Sequence, residues 1–230
     1  MTRDPINWLA RALRKAATEI LKRRGPHGTW IDVGAHHGET TLGYANGNPG
    51  LTIYAFEPNL RAAVSLMRRA PNYVVIPMAV AERDGSAQLH INQDDQASSL
   101  LTMNENVRRS WTGGEALSVK RVVSVPTIRL DTFLNLAGIG QVDYLKIDTQ
   151  GMDLGVLRSA GTRLRDILKI TLEVDISPQR LYQGSASKEE LAKFLHDAGF
   201  ELVSSEKQSH GQEENLTFLR STVGEVGQTE

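Results

Sequence analysis

The chain has 230 residues, of which 40% are hydrophobic and 23% charged, a composition that supports one good-sized globular domain with a buried core and excludes a wholly disordered chain. With 26 basic against 27 acidic residues the net charge is −1, whereas a general nucleic-acid binder is usually more basic. There is no cysteine, which excludes disulfides, a thiol nucleophile and any cysteine-ligated zinc or iron–sulfur site. No apolar run reaches the roughly 18 residues that a membrane span needs. The N-terminus lacks the apolar core of a signal peptide, so a cytoplasmic protein without stable membrane insertion is expected.

In chain order, residues 5–24 read as a helix. Ile6, Leu9, Leu13, Ala17, Ile20 and Leu21 recur at three- and four-residue spacing. Asp4 can cap it, Pro5 suits its first position and Gly25-Pro26 stops it. The segment 1–24 carries seven basic and two acidic residues, and the favoured reading is a helix packed on its own domain with a solvated basic face. A homodimer contact through this helix is left open. Next, Thr29–Val33 reads as a strand, Gly38–Tyr44 as a helix, Leu51–Phe56 as a strand, Asn59–Arg69 as a helix and Tyr73–Val80 as a strand. That alternation implies a parallel sheet with right-handed crossovers. Ser86–Asn92 alternates apolar and polar residues after Asp84-Gly85 and suits an added antiparallel strand. The polar stretch 93–118 reads as a long loop with the character of a lid. Lys120–Thr127 is a further strand and Leu130–Leu136 a short helix. The alternation resumes with Val142–Ile147, Asp153–Ala160 and Ile167–Val174, then the helix Lys188–Ala198 between Ser187 and Gly199. Phe200–Ser204 and Asn215–Arg220 form an expected terminal hairpin around the loop 205–214. The division is residues 1–27 as the N-terminal helix, 28–220 as the catalytic domain and 221–230 as a flexible tail.

Ligands of an open parallel sheet bind beyond the carboxyl ends of its strands, so the polar residues there are the site candidates. The first strand ends in Asp32-Val33-Gly34-Ala35-His36-His37-Gly38-Glu39-Thr40. A dinucleotide fingerprint would need glycine at 34, 36 and 39. The chain has Gly34, His36 and Glu39, so the fingerprint fails twice, and Glu39 would repel a pyrophosphate. The second strand ends in Glu57-Pro58-Asn59, where doubly wound folds place a carboxylate on a ribose diol. A diol without a phosphate loop favours S-adenosylmethionine over a nicotinamide dinucleotide. Its cationic sulfonium and amino group would welcome Asp32, Glu39 or Asp148.

The runs Ile31–Gly38, Ala55–Asn59, Thr127–Phe133 and Leu145–Asp153 together resemble the FkbM-type methyltransferases, over about residues 28–205. The resemblance implies an α/β, Rossmann-like class I methyltransferase fold, a doubly wound, seven-stranded, mostly parallel sheet with an antiparallel C-terminal hairpin. It implies S-adenosyl-L-methionine as methyl donor and a hydroxyl as the usual acceptor. Carried over, Asp32, Gly34, His36, Gly38, Glu39 and Thr40 wrap the cofactor, Glu57 holds the ribose with Pro58 and Asn59 beside it, and Met78 and Ala79 touch the adenine. Ser99, in Ser98-Ser99-Leu100, also reaches the cofactor, and Asp148 lines the transfer site. The sequence departs from the family at Gln150 and Asp153, where the family often carries Glu. Gln150 cannot serve as a carboxylate base.

A hydroxyl acceptor must lose a proton, and a base within hydrogen-bond reach assists. Asp148, Glu173 and His37 are the leading catalytic candidates, with Asp175, His36 and His210 behind them. No metal is the expectation. A magnesium site from Asp148, Glu173 and Asp175 is the less favoured alternative, because those acids end neighbouring strands. Lys146 shares a strand face with Asp148, and Trp111 stands in the lid segment where it could stack on a ring. The expected partner is a small-molecule, glycan or polyketide-like acceptor, with nucleic acid disfavoured by the charge and by the lack of an Asn-Pro-Pro-Tyr run. A non-catalytic cofactor-binding scaffold, a non-hydroxyl acceptor and a nicotinamide oxidoreductase are the competing readings.

Overall fold

The structure is a computed structural model and describes residues 28–221. The expected helix 5–24 and the tail after Ser221 lie outside the described residues. In chain order the elements are β1 (Gly28–Val33), α1 (Leu42–Gly47), β2 (Leu51–Phe56), α2 (Leu60–Leu66), β3 (Tyr73–Ile76), β4 (Ala79–Val80) and β5 (Gly85–Asn92). There follow α3 (Glu105–Ser110), β6 (Val119–Ile128), α4 (Leu130–Leu136), β7 (Tyr144–Ile147), α5 (Asp153–Ser159), β8 (Lys169–Asp175), α6 (Lys188–Asp197), β9 (Phe200–Gln208) and β10 (Glu213–Arg220). Short 3-10 turns at 95–97, 161–166 and 209–211 complete the chain.

The main sheet has seven strands in the order β3-β2-β1-β7-β8-β10-β9. The pairs β3–β2, β2–β1, β1–β7 and β7–β8 are parallel, while β10 runs antiparallel to both β8 and β9. This is the doubly wound sheet with an antiparallel hairpin that the sequence led us to expect. Its strand order reverses between β1 and β7, which opens a crevice at their carboxyl ends.

The sheet is buried on both faces because successive side chains point to opposite sides. Along β2, Ile53 and Ala55 pack into a cluster with Ala45 of α1 and Leu66 of α2. Phe56 packs on the other face, with Ile31, Leu145, Leu130 of α4 and Val156 of α5. Phe56 is fully buried, worth roughly 1.5–3 kcal/mol of transfer free energy. The helix α6 begins with a capping box between Ser187 and Glu190, as its sequence suggests.

Four differences from the sequence expectation have local causes. The stretch expected as one strand, Tyr73–Val80, divides at Pro77, which has no N–H to give a ladder. Met78 N instead bonds Ile76 O at 2.8 Å, and β4 leaves for a second sheet. That sheet has three strands in the order β4-β6-β5, and β5 pairs antiparallel with β6 rather than with the main sheet. The helix expected from Gly38 starts only at Leu42, since Gly38 has φ +81°, outside the helical region. The segment 93–118 is ordered by packing: Met103 and Val107 bury against Leu181 and Tyr182, and Asn104 N donates to Leu181 O at 2.7 Å. No helix among the described residues is long and apolar enough to cross a membrane.

Candidate active site

A cavity of about 480 Å³ opens at the carboxyl ends of β1, β2, β7 and β8, roofed by residues 94–100 and by Trp111, Thr112 and Leu117. It is built first by the turn after β1. A Cβ on Gly34 would meet the Asp148 carbonyl oxygen at 1.8 Å, and its φ is +78°. Only glycine therefore lets the two strand ends approach so closely. His36 follows with φ +45°, an uncommon value for a residue with a side chain.

Glu57 is 6% exposed at the end of β2. Its Oε2 accepts from His36 N at 2.7 Å and its Oε1 from Asn59 N at 2.7 Å. Each oxygen keeps a lone pair for a ligand hydroxyl. Burial raises the Glu57 pKa, an effect partly offset by the Asn59 and His36 amides. Above it, His36 bonds Glu39 through Nδ1 at 2.9 Å and Asp95 through Nε2 at 3.0 Å. Asp95 also accepts from the Asn59 amide at 3.2 Å. Burial works to lower the His36 pKa, but the two carboxylates outweigh it and raise it.

Below the cavity floor lies a buried charge cluster. Asp32 and Lys146 face each other in register on β1 and β7. Lys146 Nζ sits 3.2 Å from Asp32 Oδ1 and 3.4 Å from Asp148 Oδ2, and donates to Gly34 O at 2.7 Å. Burial acts to lower the Lys146 pKa, yet Asp32 and Asp148 hold it well above its ordinary value. Thr41 donates its hydroxyl to Asp32 rather than capping α1.

At the far end stand Asp148, Gln150, Glu173, Tyr182 and Glu213. Gln150 Nε2 donates to Asp148 Oδ1 at 2.8 Å and to Glu173 Oε2 at 3.2 Å. Burial, then the charges of Asp148 and Glu213, push the Glu173 pKa up to about 8. Burial likewise lifts Asp153 to about 7, with Asp148 adding to it.

Of the residues singled out in the sequence, Gly34, His36, Glu39, Thr40, Glu57, Pro58, Met78, Ala79, Ser99, Asp148, Glu173 and Trp111 line the cavity. Asp32 lies beneath it, Gly38 closes the turn through Ala35 O at 2.7 Å, and Asn59 caps α2. His37 is exposed, bonds Ser65 Oγ at 2.8 Å and packs its ring 4.0 Å from that of His36, but it is not part of the cavity lining. Asp175 is turned elsewhere as well. Its oxygens accept from Ser177 and from Leu181 N, so Asp148, Glu173 and Asp175 do not converge on one point. The His210 side chain lies outside what the structure describes. Sequence reasoning did not single out Asp95, Tyr182 or Glu213, because their roles arise from contacts across the fold. Gln150 was noted only as a departure from the family.

The cavity suits the methyl donor in chemistry as well as place. Among the described residues, seven carboxyl groups line it against one lysine and one histidine, with no arginine, an environment that favours a cationic ligand. Thr149 also lines it, and its hydroxyl is buried without a partner among the described residues. Glu57 fixes two accepting oxygens where a ribose diol is expected in this architecture. Fold and site thus define the class: a Rossmann-like, S-adenosylmethionine-dependent methyltransferase.

Comparison with known proteins gives the family. The methyltransferase FkbM domain matches residues 32–202, and the chain belongs to that family. It is 24% identical over 211 residues to the 2-O-methyltransferase NoeI of Sinorhizobium fredii (strain NBRC 101917 / NGR234), covering 86% of this chain and 85% of that protein. Among solved structures, it is similar to a fibrillarin/Nop5p complex at TM-score 0.49 and 15% identity, covering 84% of this chain and 72% of that one. It is also similar to TrmK of M. capricolum in complex with S-adenosyl-homocysteine, at TM-score 0.49 and 9% identity, over 87% of this chain and 67% of that one.

Proposed function

We propose that this methyltransferase modifies a hydroxyl of an uncharged acceptor, a small molecule or a glycan. The observation that carries the reading is the charge of the cavity: among the described residues six acids besides Glu173 face one lysine and one histidine, and the lysine is already held by Asp32 and Asp148. A phosphate-bearing nucleic acid would meet repulsion from nearly every side. NoeI, by its name a 2-O-methyltransferase, acts on oxygen, which agrees with this choice.

In this reading S-adenosylmethionine supplies an already activated methyl group on a sulfonium. Glu57, Met78, Ala79 and Ser99 hold the nucleoside end, and the Gly34–Thr40 turn follows the amino-acid end. Asp148 stands toward the positive centre. Glu173 takes the acceptor proton: a carboxyl raised to about 8 titrates near neutral pH, where a general base works best. His37 is given no part in the transfer, since it is exposed, bonded to Ser65 Oγ and absent from the cavity lining. Magnesium has none either. Of the three acids weighed for it, Asp175 is turned elsewhere and Asp148 and Glu173 are both bound by Gln150, short of the near-octahedral set that ion needs.

The test is methyl transfer from radiolabelled S-adenosylmethionine to a panel of neutral glycans and hydroxylated small molecules, with anionic analogues beside them. The reading predicts transfer to a neutral hydroxyl and a loss of roughly 10²–10⁴-fold in kcat for Glu173→Gln. Transfer confined to phosphorylated or nucleic-acid acceptors would overturn it.

A further inference from the structure

We propose that Gln150 is a positioning residue. Its amide, aimed by Tyr182, holds the Asp148 and Glu173 carboxyl groups side by side and favours the ionised form of Glu173. This rests on Glu173 being the base of the proposed reaction.

The proton inventory supports one orientation of the amide. Gln150 Nε2 has two protons, and it meets two carboxylate oxygens, at 2.8 Å and 3.2 Å. Reversing the amide would set its oxygen against both carboxylates. Its Oε1 points the other way and accepts at 3.0 Å from the Tyr182 hydroxyl, whose one proton is shared with Ala97 O at 2.9 Å. Tyr182 is 3% exposed and packs with Met103, Val107 and Leu181, so the hydroxyl is itself fixed. The backbone is pinned too. Ser99 Oγ donates to Gln150 O at 2.7 Å and accepts from Leu101 N at 3.0 Å. Gln150 has φ +54°, a conformation that costs a residue with a side chain about 1 kcal/mol or more and persists only when its surroundings impose it. Tyr182 thus anchors the amide oxygen and Ser99 the backbone of Gln150, while the two amide protons face the acids.

Two carboxylates this close repel each other, and a hydrogen bond to the charged form is what keeps an acid ionised against burial and like charge. Glu173 is faced by Asp148 from β7, Asp153 from α5 and Glu213 from β10, with the Tyr182 hydroxyl nearby. Gln150 lowers its pKa against all of these. Glutamine suits the position because a carboxylate there would add to the repulsion and an apolar residue would leave Asp148 with Lys146 alone and take the amide donor from Glu173.

The test is an NMR titration of side-chain carboxyl-labelled glutamates in the full chain, which needs neither acceptor nor methyl donor. Glu173 is assigned by the signal lost in Glu173→Gln. The midpoint of Glu173 should rise by one unit or more, a tenfold change in its protonation equilibrium, in Gln150→Leu. Tyr182→Phe, which removes only the orienting hydroxyl, should raise it by less. An unmoved midpoint in folded Gln150→Leu overturns the proposal. If that variant does not fold, Tyr182→Phe decides: an upward shift supports the proposal and an unmoved midpoint refutes it. Calorimetric titration of the wild type with S-adenosylmethionine, run separately, tells a failure of the methyltransfer reading from a failure of this one.

Discussion

Replacing Lys146 by methionine keeps the apolar stem and deletes the cation that Asp32 and Asp148 share at the cavity floor. At 3.2 Å from Asp32, the Coulomb attraction is about 5 kcal/mol at an effective dielectric near 20. Part of that is offset, because the ammonium no longer has to be desolvated. Asp32 remains fully buried with only the Thr41 hydroxyl beside it. Removing one partner of a buried pair costs about 3–5 kcal/mol for this reason, and Lys146→Met is expected within that range. Urea unfolding at pH 7 should show a lower midpoint with an unchanged slope. The double variant Asp32→Asn/Lys146→Met should recover at least about 2 kcal/mol relative to the summed single costs, because the uncompensated charge is gone. A single-variant cost under about 1 kcal/mol, or strict additivity, would refute the argument.

Three other outcomes are expected. Glu173 and Asp153 have folded pKa values raised to about 8 and about 7 from 4.5 and 3.8. Between roughly pH 4 and 8 the native state therefore binds protons that the unfolded chain has released, and their contribution to stability falls as pH rises through that window. Urea midpoints at pH 5 and pH 8 should show the fall, about 6 kcal/mol as an upper bound by the linkage of about 1.4 kcal/mol per unit, and Glu173→Gln with Asp153→Asn should flatten it. Gly34→Ala should destabilise by about 3 kcal/mol or more, since the added carbon meets Asp148 O in a left-handed backbone; a thermal melt within 2 °C of wild type would contradict this. Asp95→Asn removes the charge partner of His36 and should lower the His36 midpoint in a proton NMR titration, whereas an unchanged midpoint would show that Glu39 alone sets it.

The strands ending in Asp32, Glu57, Asp148 and Glu173 were legible because each is a short apolar run closed by a turn residue and an acid. Local pattern carried that information. The second sheet was not legible, since β5 meets β6 only after the segment between them has folded back, and a Pro77 within an otherwise even apolar run decides where β4 goes. Asp95 and Tyr182 sit in stretches with no periodic signal. Their place at the site depends on one 3-10 turn reaching His36 and on a hydroxyl reaching Gln150 across the cavity. Gln150 was visible only as a missing carboxylate, and its use emerges once the two acids it bridges are seen together.

The measurement closest to the central claim is calorimetric titration of S-adenosylmethionine and S-adenosylhomocysteine into the wild type and Glu57→Gln. The wild type should bind both in the micromolar range. Glu57→Gln should bind at least about tenfold more weakly, the worth of a hydrogen bond to a charged group at about 1.5–3 kcal/mol. Absence of binding by folded wild-type protein, or equal affinity in the variant, would contradict the account of this cavity as the cofactor site.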